Sequence, residues 1–278
     1  MSVPVLSIVF MAVSAILAIG VPVCLFVVFR KKFNLKVVPM LVGIAGFVVF
    51  ALVLEALVHR IVLGRFLSPG NKVLYIFYGA FMAGIFEESA RFIAFNILKR
   101  KKYEGIGTAL SYGIGHGGIE SILLAGLAMI SSIATSIIFN SGNIEAITGK
   151  LQGDALAAAY NQIAALATAA PYMFLVSGLE RMFAITVHLS LSVVVFYAVF
   201  GKKKAWLYPL AILLHAIVDI PAMIFQTGGI KNVLVVEVIV CLFAVCLALF
   251  AKYLHKKLSA APIADPSPSV DIQSNSIN

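Results

Sequence analysis

The sequence predicts an all-α, polytopic membrane helix bundle of about seven transmembrane helices, with the N-terminus outside and the C-terminus inside. Of its 278 residues, 62% are hydrophobic and 12% are charged, about half the charged fraction of an ordinary soluble domain. The apolar runs are about 20 to 30 residues long, which suits helices, because membrane strands alternate over about 10 residues. The third observation is that basic residues cluster at the ends of these runs.

The apolar runs divide the chain into seven expected spans. They are 3–29, 37–58, 73–98, 106–139, 181–200, 205–226 and 233–254. The fourth is longer than one crossing requires, so it is expected to tilt or break before its end. The stretch 140–177 is expected to form a surface or re-entrant helix outside, and Ser68-Pro69-Gly70 marks a turn after span two. Residues 1–258 would thus be one membrane domain, and 259–278, rich in Pro, Ser and Asn, a disordered cytoplasmic tail.

The net charge of +9 is best explained by membrane topology. Four segments hold 14 of the 21 Lys and Arg residues: the links after spans one, three and five, and the C-terminal end. A seven-span chain with its N-terminus outside places all four in the cytoplasm, where positive charge accumulates. The sequence lacks the basic-aromatic patches that would indicate a nucleic-acid partner. The expected surroundings are the lipid bilayer of the cell membrane.

Three charged residues interrupt the third span. Glu87, Glu88 and Arg91 lie near its middle, where scales of insertion assign roughly 2.5 to 3.5 kcal/mol to a charged residue. At about 100° per residue, Arg91 shares one helix face with both carboxylates. One guanidinium cannot neutralise two carboxylates, so we expect further partners on other helices.

Histidines on three later spans are suitable partners, because they lie at a similar depth. Counted from the nearest cytoplasmic Lys at about 1.5 Å per residue, Glu88 and His215 lie about 16 Å deep, and His116 and His188 about 21 Å. His116 and Glu120 are spaced i, i+4, as are His215 and Asp219. We therefore expect a polar site halfway across the membrane.

Imidazole nitrogens and carboxylate oxygens are the ligands of catalytic zinc sites. The expected metal ligands are His116, His188, His215 and Glu88. The His-Glu-x-x-His motif of one large group of zinc proteases is absent. A Glu with a His can activate water with or without a metal ion, so the sequence leaves open whether Zn²⁺ is bound.

Three motifs in this part of the chain resemble those of a known family. EESAR at 87–91 matches the EExxR motif of the type II CAAX prenyl endopeptidase superfamily. YGIGH at 112–116 is similar to FxxxH, with Tyr112 in place of Phe, and HAIVD at 215–219 is similar to HxxxN/D. The GIGHGGIE segment and the seven-span layout look most like the YhfC family of intramembrane metallopeptidases.

This resemblance implies proteolysis of a membrane-embedded or membrane-adjacent peptide. The residues implied in catalysis are Glu87, Glu88, Arg91, His116, His215 and Asp219. Glu87 or Glu88, with His116, would activate water, and Glu120 and Tyr112 would support these side chains from behind. Two other classes remain open, since buried Glu, His and Asp also suit a proton-coupled transporter, or a scaffold in which polar groups only fix the packing.

Overall fold

The computed structural model describes residues 1–65 and 71–259, and within these ranges the regular structure is entirely helical. The helices, in chain order, are α1 (Val5–Phe33), α2 (Val37–Gly46), α3 (Ala56–Arg65), α4 (Lys72–Arg100), α5 (Ile106–Ser121), α6 (Leu127–Asn140), α7 (Glu145–Thr148), α8 (Gly153–Thr168), α9 (Pro171–Phe200), α10 (Leu207–Gln226) and α11 (Val233–Ser259). The predicted class, a polytopic helical bundle, is confirmed. The turn predicted at Ser68-Pro69-Gly70 and the tail after Ser259 lie outside the described residues.

Two of the long helices contain π-helical segments. Phe47–Glu55 joins α2 to α3, and Ile122–Gly126 joins α5 to α6, so each pair forms one continuous rod. The second rod runs from Ile106 to Asn140 and corresponds to the fourth expected span, for which the sequence suggested a tilt or a break. The rod is continuous, but its π segment departs from regular α-helix. π-Helical turns often occur at functional sites, and both segments here adjoin the polar cluster described below.

Within residues 1–65 and 71–259, six helices are long and apolar enough to cross a membrane. They are Val5–Phe33, Val37–Leu63, Ile106–Asn140, Pro171–Phe200, Leu207–Gln226 and Val233–Ser259. α4 has 29 residues, as many as α1, and it carries the charged trio. With α4 included, the count would be the predicted seven; that count and the orientation stay predictions.

The segment predicted as a surface or re-entrant helix divides into α7, α8 and the start of α9. α8 is mostly exposed, and it buries only Ile163 and Leu166. Leu166 packs with Val3, Met11 and Phe174, at the end of the bundle where α1 begins. α9 begins at Pro171, ten residues before the expected start of the fifth span.

Contacts gather the basic segments at one end of the bundle. Lys99, at the end of α4, donates through Nζ to the carbonyl of Val199 on α9 at 2.8 Å. The Tyr197 hydroxyl lies 2.6 Å from Nδ1 of His255 on α11. The α1–α2 link is bonded to the first turns of α5 by a backbone N–H. This arrangement supports the expectation that all four basic segments lie on one side of the membrane.

We therefore expect the basic end to face the cytoplasm. In variants whose native cysteines are removed, Lys101→Cys and Lys203→Cys should react with an impermeant thiol reagent only in inverted vesicles or opened cells. Reaction of either site from outside intact cells would overturn the orientation.

The close contact of α2 with α5 depends on two glycines. A Cβ atom on Gly43 would lie 2.2 Å from the Tyr112 carbonyl oxygen, and one on Gly115 would lie 2.0 Å from that of Met40. Both neighbours are backbone atoms, which cannot turn aside as a side chain can. Small residues at helix contacts are what allow membrane helices to approach closely, so these two glycines fix the distance between α2 and α5.

Gly115→Ala should therefore lower the free energy of unfolding by about 1 to 3 kcal/mol, the usual effect of overpacking. The measurement is a denaturation titration of the purified protein in detergent. Gly20→Ala is the matched control, because nothing lies within 4 Å of the added carbon. Equal stability of the two variants would show that α2 and α5 separate without loss.

Candidate active site

The charged trio of α4 is buried at the centre of the bundle. Glu88 and Arg91 are 0% exposed and Glu87 is 7% exposed. α4 packs along α10 on one side and against α9 and the α2–α3 rod on others. The two carboxylates are adjacent in sequence and about 100° apart around the helix, so they meet different neighbours.

Glu88 and Arg91 form an ion pair that also holds a histidine of α10. Arg91 donates through Nη1 to Glu88 Oε1, and His215 Nδ1 lies 2.7 Å from the same oxygen. Arg91 also donates through Nη2 to Nδ1 of His188 on α9, because a guanidinium can only donate. Arg91 and Glu88 together link α4, α9 and α10.

Glu87 lies between the three histidines. Its Oε2 atom is 2.8 Å from His116 Nε2, 3.6 Å from His188 Nδ1 and 3.9 Å from His215 Nε2. Arg91 Nη2 is 3.8 Å away. Side chains of α4, α5, α9 and α10 thus approach one another around a single carboxylate oxygen.

Glu120 joins the cluster from α5. Its Oε2 atom lies 2.5 Å from His188 Nε2, yet it has no hydrogen-bond partner among the described residues. We infer that the two atoms approach each other without a well-directed N–H bond, as two ligand atoms facing a common point do. Glu120 Oε1 accepts from Arg181 of α9 at 2.9 Å, which fixes the carboxylate.

These side chains fit a metal ion. One ligand atom from each of Glu87, His116, Glu120 and His188 lies within 4.8 Å of the others. Nδ1 of His116 and Oε2 of Glu120 are buried polar atoms without a hydrogen-bond partner among the described residues. A nitrogen and oxygen ligand set of this size is suitable for zinc.

The group differs from the ligand set expected from the sequence. His116 and His188 are shared, but Glu87 and Glu120 stand where Glu88 and His215 were expected. The physical reason is that Glu88 faces Arg91 and His215 and is bonded to both. Glu87, one residue earlier, faces α5 and α9 instead.

The two remaining expected residues flank the histidines. Asp219 Oδ2 lies 3.5 Å from His215 Nε2, and the Asp219 side chain is 33% exposed. The Tyr112 ring stacks on that of His116 with centroids 5.8 Å apart. Its hydroxyl has no hydrogen-bond partner among the described residues. Tyr112 thus supports the His116 ring by packing.

Sequence reasoning missed a second polar group on the α2–α3 rod. Glu55 is 8% exposed and lies 3.1 Å from Nε2 of His59, whose Nδ1 lies 2.9 Å from the Tyr78 hydroxyl. From its place just after the second expected span, 37–58, His59 is expected to be an interfacial residue. The available signal was the i, i+4 spacing of Glu55 and His59, the same spacing as in the two motifs that were recognised.

A cavity of about 330 Å³ connects this second group with the candidate site. It lies between the α2–α3 rod, α4 and α10, and its lining includes Glu55, His59, Tyr78, Ala83 and Asp219. Asp219 is thus shared between the cavity and the histidine cluster. The volume lies in the range of ligand-binding clefts, about 300 to 1,000 Å³.

The chain belongs to the YhfC family. Residues 14–240 match the family model described as YhfC intramembrane metalloprotease. The chain is 35% identical over 242 residues to a Bacillus subtilis (strain 168) protein described as "Uncharacterized membrane protein YhfC", covering 86% of this chain and 92% of the relative. The resemblance to the YhfC family is thereby confirmed. No solved structure matches the chain.

Proposed function

We propose that this integral membrane protein is a peptidase that hydrolyses a peptide bond in a membrane-embedded or membrane-adjacent substrate. The observation that carries the proposal is the position of Glu87, which contacts His116 at 2.8 Å beside His188 and Glu120, in a buried cluster that meets a cavity. Hydrolysis of an amide needs an activated water, stabilisation of the oxyanion and a proton for the leaving amine, and these side chains offer all three.

His116, His188 and Glu120 would hold the metal, and Glu87 lies beside them. Two His and one Glu form a known catalytic zinc ligand set, which leaves a position for water. A zinc ion bound there would polarise water and the substrate carbonyl. Glu87 is the better base of the two motif carboxylates, because both Arg91 and His215 bond to Glu88.

In the proposed reaction, Glu87 takes a proton from water while the water oxygen forms a bond with the carbonyl carbon. His215, as an imidazolium whose Nδ1–H is donated to Glu88, donates its Nε2–H to the oxyanion from the side where Asp219 meets the cavity. When the C–N bond breaks, Glu87 gives its proton to the departing amine nitrogen. Arg91 keeps Glu88 in place throughout; a metal ion on Nε2 of His188 would require the imidazole proton to be on Nδ1, so the contact of His188 with Arg91 belongs to the metal-free protein.

The residues on the basic side of the cluster favour hydrolysis over proton transport. Phe95 and Leu191 are 0% exposed, Leu98 is 1% exposed, and they pack together in the main apolar core. Phe95 follows Arg91 by one turn and Leu191 follows His188 by three residues, both toward the basic end. The buried polar groups of this layer are hydroxyls, as in Ser111, Tyr112 and Ser192, whereas proton relays across membranes use chains of Asp, Glu and His.

The test is a comparison of membrane peptide termini in cells that express the wild type or His116→Ala at equal levels. Mass spectrometry of labelled N-termini should find new termini, in or beside membrane spans, that require His116. Identical sets of termini in the two strains, at equal protein levels, would contradict the peptidase proposal and favour a scaffold.

A further inference from the structure

Three rows of side chains, each at helical spacing, converge on the cavity. Glu55, His59 and Leu63 lie on the α2–α3 rod, Tyr75, Gly79 and Ala83 on α4, and Asp219, Met223 and Gln226 on α10. Within each row the residues are three or four apart, so each row lies on one helix face. The cavity therefore follows the helices lengthwise, with Leu63, Tyr75 and Gln226 toward the end where α4 begins.

The rows of α4 and α10 continue directly into the candidate site. The residue one turn after Ala83 is Glu87, and the residue one turn before Asp219 is His215. Gly79 lets Met223 of α10 pack against α4, since a Cβ atom there would lie 2.4 Å from the Met223 methyl carbon, and the small side chain of Ala83 lines the cavity beside them. A chain segment in the cavity would thus reach the atoms proposed to act on the scissile bond.

The charged groups that line the cavity are predominantly acidic. Glu55 and Asp219 are carboxylates, and His59 is the one basic side chain among the described lining residues. Lys72, which donates to the Thr227 carbonyl at 3.0 Å, and the α3 residues Arg60 and Arg65 are not part of the described lining. The cavity therefore favours a positive occupant.

Apolar side chains make up much of the remaining cavity wall. The cavity is lined, beside Glu55 and Asp219, by Leu63, Ala83, Ala222 and Met223. Lys and Arg side chains have this pattern: an apolar stem packs along apolar surface while the charged head finds a polar partner. A buried cation is stable only if it is paired, and two carboxylates provide that pairing.

We propose that the cavity is a specificity subsite that takes a Lys or Arg side chain of the substrate, with its cationic head between Glu55 and Asp219. The identification of the occupant as part of a substrate rests on the proposed function. The selectivity of the cavity for a cation does not, so it can be tested without any cleavage reaction.

The first test measures that selectivity with thiol reagents. In a background without Cys24, Cys241 and Cys246, Ala83→Cys places a thiol in the cavity wall. We compare its reaction rate with a trimethylammonium methanethiosulfonate to its rate with the sulfonate analogue. The ratio of the two rates should be about tenfold higher than at the exposed control Ser141→Cys, which is the low end of the rate enhancement in charged clefts. A ratio equal to that of Ser141→Cys would overturn the proposal.

Glu55→Gln in the Ala83→Cys protein should reduce that ratio by at least about threefold, because it removes one of two carboxylates. An unchanged ratio in a folded Glu55→Gln protein would exclude the proposed role of Glu55. If the variant does not fold, the reagent comparison in the Ala83→Cys protein alone remains decisive.

The second test identifies the cation. Butylamine should protect Ala83→Cys from a neutral thiol reagent, whereas butyrate and butanol should not, and the protection should persist in a chelator. Equal protection by all three compounds would contradict a cationic subsite, and protection by zinc but not by butylamine would make the cavity a metal route. These outcomes do not depend on hydrolysis, so they can be interpreted even if the peptidase proposal fails.

Discussion

Glu87→Gln should reduce the rate of proteolysis by about 10²- to 10⁴-fold, the usual contribution of a general base. The amide keeps the size of the carboxylate and can still bond to Nε2 of His116, so the fold should be retained. What it cannot do is accept a proton from water. The measurement is the rate of cleavage of a substrate found by the terminus comparison, with the purified protein in liposomes.

Glu88→Gln is the matched control, because the same change is made one residue along the same helix. It removes the charge that Arg91 and His215 share, so activity should fall less than in Glu87→Gln while stability falls more. Full activity in Glu87→Gln, or a greater loss of activity in a stable Glu88→Gln protein, would show that the roles of the two carboxylates are reversed.

Arg91→Met should be the most destabilising single substitution in the bundle core. Arg91 is 0% exposed and bonds to Glu88 and His188, so its removal leaves an uncompensated buried carboxylate. Breaking a buried pair in this way typically lowers the free energy of unfolding by about 3 to 5 kcal/mol. A detergent denaturation titration would measure the change.

Two comparisons make the interpretation of Arg91→Met specific. Adding Glu88→Gln should recover part of the lost stability, since the orphaned charge is then removed. Arg60→Met, at an exposed position of α3, should change stability by less than about 0.5 kcal/mol. If the double variant is no more stable than Arg91→Met, packing of the long side chain matters more than its charge.

The sequence was sufficient to predict which helices meet. A carboxylate pair with one Arg in the middle of α4 required partners, and His116, His188 and His215 were the polar residues at a matching distance from the basic ends. Hydrophobic length and the positive-inside pattern define these distances well, because each helical residue advances the chain by about 1.5 Å. That the carboxylate pair of α4 meets all three histidines follows from that regularity.

The rotation of each helix about its own axis could not be predicted from hydrophobic length and charge pattern. Glu87 and Glu88 are equivalent in the sequence pattern, and their roles separate only because α10 and Arg91 bond to one while α5 and α9 face the other. Likewise, Glu55 reaches the cavity at the end of a π-helical segment, which changes the direction of later side chains relative to a regular α-helix. Hydrophobic periodicity does not record either effect.

The metal content of the purified protein tests the central claim most directly. Elemental analysis after purification without chelators should find about one zinc ion per wild-type chain. His116→Ala, His188→Ala and Glu120→Ala should lose it, while His215→Ala and His59→Ala, which remove imidazoles outside the group of four, should retain it. A wild-type protein without metal, or retention in His116→Ala and His188→Ala with loss in His215→Ala, would contradict this account of the site.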